Sequence, residues 1–166
     1  MNLKWDYVAD TVMGGVSRGH VEEVVIAGRT AMRLTGDVSL DNDGGFIQMA
    51  ADLPPDHGAA DFSGIEIDLF GNDEVYDLRL RTTDLTRPWQ SFRTERLVSP
   101  GWSTYRVSFA DLTPHRTQET FHRLHLRRIG VVAIGRRFHA DVAVAGVRLY
   151  RGDETCAIAA GSSRLP

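Results

Sequence analysis

The sequence predicts an all-β fold, a two-sheet antiparallel β-sandwich, and three observations carry that expectation. Short runs rich in β-branched and aromatic residues recur between clusters of Gly, Asp, Asn and Pro, at the spacing of sandwich strands. Several runs alternate apolar and polar residues, the pattern of a strand with one face in a core and the other in water. No long stretch of helical periodicity interrupts them.

Taken in order, a strand near Trp5 precedes strands over 21–26, 30–35, 46–51, 65–70, 76–82, 90–97, 103–109, 129–134 and 140–150. In 65–70, Ile65, Ile67 and Leu69 point one way while Glu66 and Asp68 point the other. Tyr76, Leu78 and Leu80 oppose Asp77, Arg79 and Arg81 in the same manner, and Tyr105, Val107 and Phe109 oppose Thr104, Arg106 and Ser108. Val147 and Leu149 continue the pattern near the end, with a bulge expected at Ala145-Gly146. Residues 113–123, which include Pro114, His115, Arg116 and His122, read as a surface loop. From these elements we expect one sandwich domain over 1–150 and a C-terminal tail over 151–166, where periodicity is lost.

Composition narrows the function classes. With 166 residues the chain buries a core without staples, and 42% hydrophobic with 25% charged residues excludes wholesale disorder. A net charge of −3 offers no basic excess to release counterions, so no nucleic-acid partner is expected. No apolar run reaches membrane-spanning length, so no membrane insertion is expected. Residues 1–6 show neither a signal-peptide start nor an Arg/Ser-rich presequence, and the single Cys156 cannot form an internal disulfide; the cytoplasm is the expected location.

Standard enzyme signatures are absent: there is no Gly-x-Ser-x-Gly, phosphate-binding Gly-Lys-Thr loop, His-Glu-x-x-His or Cys-x-x-Cys. No catalytic residue, cofactor or metal is therefore expected. His122 and His125 lack a third ligand nearby in sequence. Asp41-Asn42-Asp43 clusters oxygens but lacks the spacing of a calcium loop and reads as a hydrogen-bonded turn. Asp10 would pair with Asp41 or Asp43, as acid-base chemistry needs, only if two distant loops met.

Those loops are the stretches 10–17 and 39–46, each built on a Gly-Gly pair, Gly14-Gly15 and Gly44-Gly45. Adjacent glycines allow positive φ and close backbone approach, so Asp10, Met13, Gly14, Gly15, Ser17, Asn42, Gly44, Gly45 and Phe46 are expected to be structural. The expected result is that Val12, Met13, Val16 and Phe46 enter the sandwich.

Strand alternation also marks a candidate recognition face. Opposite the apolar positions of three consecutive strands stand Arg79, Arg81, Trp89, Arg93, Trp102 and Arg106. Arginine and tryptophan supply bidentate hydrogen bonds, cation-π contact and apolar area, so this face is expected to bind a partner or ligand. The alternative is a solvated sheet with salt bridges from Asp77 and Glu95.

The blocks Asp10-Thr11-Val12-Met13-Gly14-Gly15-Val16-Ser17 and Ser39-Leu40-Asp41-Asn42-Asp43-Gly44-Gly45-Phe46 together resemble the complex I intermediate-associated protein 30 family. Looser matches lie at 75–82, at Trp89 with Phe92 and Thr94, at 109–116 and at 128–131, so the resemblance covers most of residues 5–150. It implies a galactose-binding-like jelly roll and a non-enzymatic role in assembling NADH:ubiquinone oxidoreductase, with respiratory complex I subunits or intermediates as protein partners. A jelly roll also hosts carbohydrate binding, so a glycan or other small ligand is the alternative.

Overall fold

The apolar runs become strands and pack as two layers. The structure, a computed structural model, describes residues 3–152, so the expected tail lies, beyond Gly152, outside the described residues. Its strands are β1 (Asp6–Ala9), β2 (Arg18–Ile26), β3 (Arg29–Val38), β4 (Phe46–Asp52), β5 (Gly64–Phe70), β6 (Glu74–Thr82), β7 (Ser91–Val98), β8 (Ser103–Ser108), β9 (Thr113–His115), β10 (Leu126–Ile134) and β11 (Phe138–Tyr150). The first sheet runs β1-β4-β10-β6-β7-β9 and the second β2-β3-β11-β5-β8, with antiparallel neighbours throughout. Among the described residues there is no α-helix, only short 3-10 turns, and none is long and apolar enough to cross a membrane.

Period-two alternation places the core. Ile47 and Met49 of β4, Ile129 and Val131 of β10, and Tyr76, Leu78 and Leu80 of β6 line the inner face of the first sheet. Leu34, Ile65, Ile67, Leu69 and Val142 answer from the second sheet, and all of these side chains are buried. Tyr76 keeps its hydroxyl satisfied inside the sandwich by donating to Asn72 Oδ1 at 2.6 Å and accepting from the Asp141 N–H at 2.9 Å. The register of β11 against β5 shifts between Val144 and Gly146, which is the bulge expected at Ala145-Gly146.

Three local expectations need correction. Strand β2 starts at Arg18 rather than near Val21, because it pairs with β3 over its whole length through a turn with positive φ at Ala27 and Gly28. Part of the expected loop over 113–123 is the edge strand β9, in which Pro114 sits opposite Phe92. Three residues are too few to show alternation, and an edge is where a strand tolerates proline. Phe109 does not end β8 but opens a 3-10 turn, Phe109–Asp111, still buried against the core.

The connection from β7 to β8 decides the site. Residues 99–102, with Gly101 at φ 105°, carry the chain from the outer region of the first sheet to the edge of the second. Neighbouring strands in sequence therefore lie in different layers here.

Candidate functional site

The two Gly-Gly loops do meet, and the group between them is Asp10. Its carboxylate is fully buried at the head of a 3-10 turn, Asp10–Met13. The Ser17 hydroxyl donates to Oδ2 at 2.5 Å, and the Ser17 N–H donates to Oδ1 at 3.1 Å. From the other loop, the N–H groups of Gly45 and Phe46 donate to Oδ2 at 2.6 and 3.3 Å. Ser17 Oγ also accepts from the Ser39 N–H at 2.8 Å and lies 3.1 Å from Ser39 O, closing the knot. Burial alone would raise the Asp10 carboxyl, but the Ser17 hydroxyl and the Gly45, Ser17 and Phe46 N–H groups outweigh it and hold the carboxyl below the usual range.

Two of the four motif glycines, Gly15 and Gly44, are explained by that carboxylate. A Cβ on Gly15 would overlap Asp10 Cγ, and one on Gly44 would stand 2.5 Å from Asp10 Oδ2 and 3.0 Å from Gly15 Cα. The expectation that these loops drive apolar side chains inward is corrected: Val16 is 40% exposed, and Phe46 is half-buried on the side of the strand that faces away from the core. Asn42 takes positive φ in the turn Asp41–Asp43, and Gly14 caps the turn before it in a left-handed conformation. The side chains of Val12 and Met13 lie outside the described residues. Asp41 is exposed and ion-paired to Arg137 at 3.0 Å rather than joined to Asp10.

The candidate recognition face divides between the sheets. Arg79, Arg81 and Arg93 point outward from the first sheet, with Trp89 on the loop joining β6 to β7. Trp102 and Arg106, expected beside them, stand on the second sheet's outer face, because the β7 to β8 connection changes layers. Trp102 packs edge-on to Phe70 with ring centroids 5.6 Å apart, lies under Arg29 and donates from Nε1 to Ile26 O at 2.9 Å. Arg106 binds Glu66 at 2.8 Å over the Tyr150 ring.

The charges at the centre of that second face are matched. Asp68, nearly buried, takes Arg148, Thr104 and Arg29 at 2.6 to 3.1 Å, and Arg33 binds Asp141. Burial opposes ionisation of Asp68, but these donors prevail and bring its carboxyl down to about 2. The folded value lies below the unfolded one of about 4. Stability from Asp68 should therefore be full above about pH 4 and fall as pH drops toward about 2, by about 2 kcal/mol, which urea unfolding across that range will measure.

On the first sheet, two of the expected recognition arginines form an internal network. Asp77, 3% exposed, accepts from Arg79 at 2.7 Å and from Arg93 at 2.8 Å, and Arg93 also reaches Glu95 at 2.7 Å. Burial pushes the Asp77 carboxyl up, and Arg93 and Arg79 more than reverse this. The salt-bridged alternative thus holds for Arg79 and Arg93. Arg81 differs. Its guanidinium donates to the carbonyls of Arg87, Pro88 and Gln90 and so holds the loop that carries Trp89. Gln90 Oε1 fastens the same loop by accepting from the N–H groups of Thr86 and Arg87.

Beside this loop lies a groove of about 300 Å³ on the outer face of the first sheet. Its floor is low because Ala50 and Gly130 occupy the row in which Arg79 and Arg93 stand farther along. Gln48, Trp89, Ser91, Arg127 and Arg128 complete the walls. Strand alternation found Arg79, Arg81 and Trp89 but missed Gln48, Arg127 and Arg128, whose strands are distant in sequence. Gln48 and Arg128 had outward parity on β4 and β10 as their only signal, and Arg127 had none, since it stands at the register shift between Leu126 and Arg128.

The two tryptophans should separate in stability. Trp89 is 52% exposed, so Trp89→Ala should change stability by less than about 0.5 kcal/mol. Trp102→Ala, which removes a ring contact and a hydrogen bond, should cost about 1–3 kcal/mol by urea midpoint.

Among the described residues, the histidine pair and the acidic turn show no converging ligand set. His122 and His125 have ring centroids 5.4 Å apart, and His125 Nδ1 lies 2.8 Å from Asp84. Among the described residues no three His, Cys, Asp or Glu side chains converge as a metal would need.

Two face-packed antiparallel sheets with a groove on one outer face define a jelly-roll domain of the galactose-binding-like kind, the shape of many carbohydrate-binding modules. The family 11 carbohydrate-binding module of the cellulase Lic26A-Cel5E of Clostridium thermocellum superposes with a TM-score of 0.74 at 12% identity, covering 92% of this chain and 90% of that one. A family 11 module of the same organism, solved with a β-1,3-1,4-mixed-linked tetrasaccharide, gives 0.72 at 12% identity, with 91% of each chain covered. The family 30 module of Cel9D-Cel44B, also from Clostridium thermocellum, gives 0.65 at 12% identity over 92% of this chain and 94% of that one. These likenesses concern the fold. No curated protein matches the chain. Residues 2–142 match the family described as complex I intermediate-associated protein 30, and the chain belongs to that family.

Proposed function

We propose that this chain is a non-enzymatic protein-binding domain that acts on assembly intermediates of respiratory complex I and meets them through the outer face of the first sheet. The observation that carries this reading is the family match, which spans the sandwich from before β1 into β11. The groove beside Trp89 supports the choice of surface, because it combines an exposed tryptophan with arginines, the residue types that dominate binding hot spots.

Affinity capture of the tagged chain from the cells that produce it tests the reading. Complex I subunits should be recovered with the wild type and reduced about tenfold or more by Trp89→Ala, about 1.4 kcal/mol of binding. Recovery of no complex I subunit would remove the assembly role.

A glycan is the second reading, favoured by the family 11 module that was solved with a tetrasaccharide. Trp89 beside Gln48 in an open groove suits a sugar ring and its hydroxyls. Saturable heat on titrating that mixed-linked tetrasaccharide, without capture of complex I subunits, would replace the first reading with this one.

A further inference from the structure

Many surface arginines are ion-paired, but two that line the groove are not. Arg79 and Arg93 are neutralised by Asp77 and Glu95, and Arg128 by Asp52 at 2.9 Å. Arg81 is held by main-chain carbonyls alone. Among the described residues, Arg127 in the groove and Arg87 on the adjoining loop pair with no carboxylate; Arg87 lies 6.0 Å from the centre of the Trp89 ring. Two arginines without an acid, Arg81 and Arg127, therefore line the groove, with Arg87 on the loop beside it, on a chain whose net charge is −3. By contrast, Arg29, Arg33, Arg106 and Arg148 on the second sheet all have acidic partners.

A second observation is independent of charge. Ser91 lines the groove and is buried, yet its hydroxyl has no hydrogen-bond partner among the described residues. Buried hydroxyls are normally paired, so this one marks a place where an acceptor would be gained. The groove floor at Ala50 and Gly130 and the rim at Pro88 and Trp89 are apolar. The site thus offers donors and positive charge next to a small apolar shelf.

Resting on the assembly reading above, we propose that this groove binds an acidic protein segment. An Asp or Glu carboxylate is taken by Arg81, Arg127 and Ser91, and a neighbouring apolar side chain lies on Ala50 against Trp89. A carboxylate there relieves the mutual repulsion of Arg81, Arg127 and Arg128. Burial first, and then those two neighbouring charges, depress the Arg81 guanidinium from its ordinary value. Charge complementarity of this kind governs which partners are accepted and how fast they arrive. A nucleic acid fits less well, because its affinity comes from many phosphate contacts along a basic track, and here two unpaired arginines line the groove of an acidic chain.

The probe is a fluorescent peptide of alternating Glu and Leu, compared with its Gln and Leu counterpart by anisotropy at fixed ionic strength. The acidic peptide should bind at least about tenfold more tightly, and Arg127→Glu should lower its affinity at least about tenfold. Arg87→Glu serves as a second charge reversal, and thermal unfolding shows that both variants keep the fold. Equal affinity for the two peptides, affinity unchanged by both reversals, or equally tight binding of a single-stranded oligonucleotide would each overturn the proposal. If wild-type capture of complex I subunits persists while the acidic peptide shows no preference, only the acidic-segment assignment falls. If peptide preference holds while no complex I subunit is captured, the assembly reading falls instead.

Discussion

Asp10→Ala should destabilise the domain by about 3–5 kcal/mol, a large part of the roughly 5–15 kcal/mol that typically separates folded from unfolded states. The loss comes from the donors left behind. The N–H groups of Ser17, Gly45 and Phe46 all point at this carboxylate, and each buried donor without an acceptor costs about 1–3 kcal/mol, partly recovered if water enters. Asp10→Asn keeps one acceptor oxygen but turns an NH2 group toward donors, so it should lose most of the same stability. Gly15→Ala and Gly44→Ala should be damaging for the complementary reason, since each new Cβ overlaps the Asp10 side chain. Urea unfolding reads all four variants. An Asp10→Ala midpoint equal to that of the wild type would show that the two loops hold together without the carboxylate.

Asp77→Ala is expected to cost about 2–4 kcal/mol, near the low end of what breaking a buried ion pair costs because Arg79 and Arg93 retain some contact with water. Removing the acid leaves two guanidinium groups facing each other across the β6 to β7 register, where Arg79 stands opposite Arg93. The consequence has a sign in pH. The Asp77 carboxyl lies below its unfolded value, so its contribution is full above about pH 4 and is lost as pH falls through the folded value. Asp77→Ala should therefore be most costly at neutral pH, with the gap from wild type narrowing under acid. A gap that widened on acidification would contradict the network as described.

These two carboxylates also show what a sequence reveals and what it withholds. Alternation made β5 and β6 legible residue by residue, because a strand with one face in the core and one in water must repeat every second residue. It made Arg79, Arg81 and Arg93 legible as outward for the same reason. It could not carry Trp102 and Arg106 onto that face, since a period within one strand says nothing about which sheet the next strand joins. The Gly-Gly motifs were visible, but their purpose depends on Asp10 meeting a loop 35 positions away. The groove was the least legible part. Gln48, Arg127 and Arg128 come from β4 and β10, which become neighbours of β6 only through long-range pairing.

The apportioning of roles follows from the same geometry. Arg79 and Arg93 spend their hydrogen bonds on Asp77, and Arg81 spends its own on the Trp89 loop, so these side chains shape the surface as much as they present it. Trp89, Arg87 and Arg127 remain exposed to a partner.

Site-directed photo-crosslinking tests most directly whether this face meets complex I intermediates. A photoactivatable residue replaces Arg87 at the rim of the groove or, in a separate variant, Glu22 on the outer face of the second sheet. Crosslinks to complex I subunits from position 87 and none from position 22 are the predicted result. Crosslinks from position 22 with none from position 87 would contradict the account, because recognition would then lie on the other sheet.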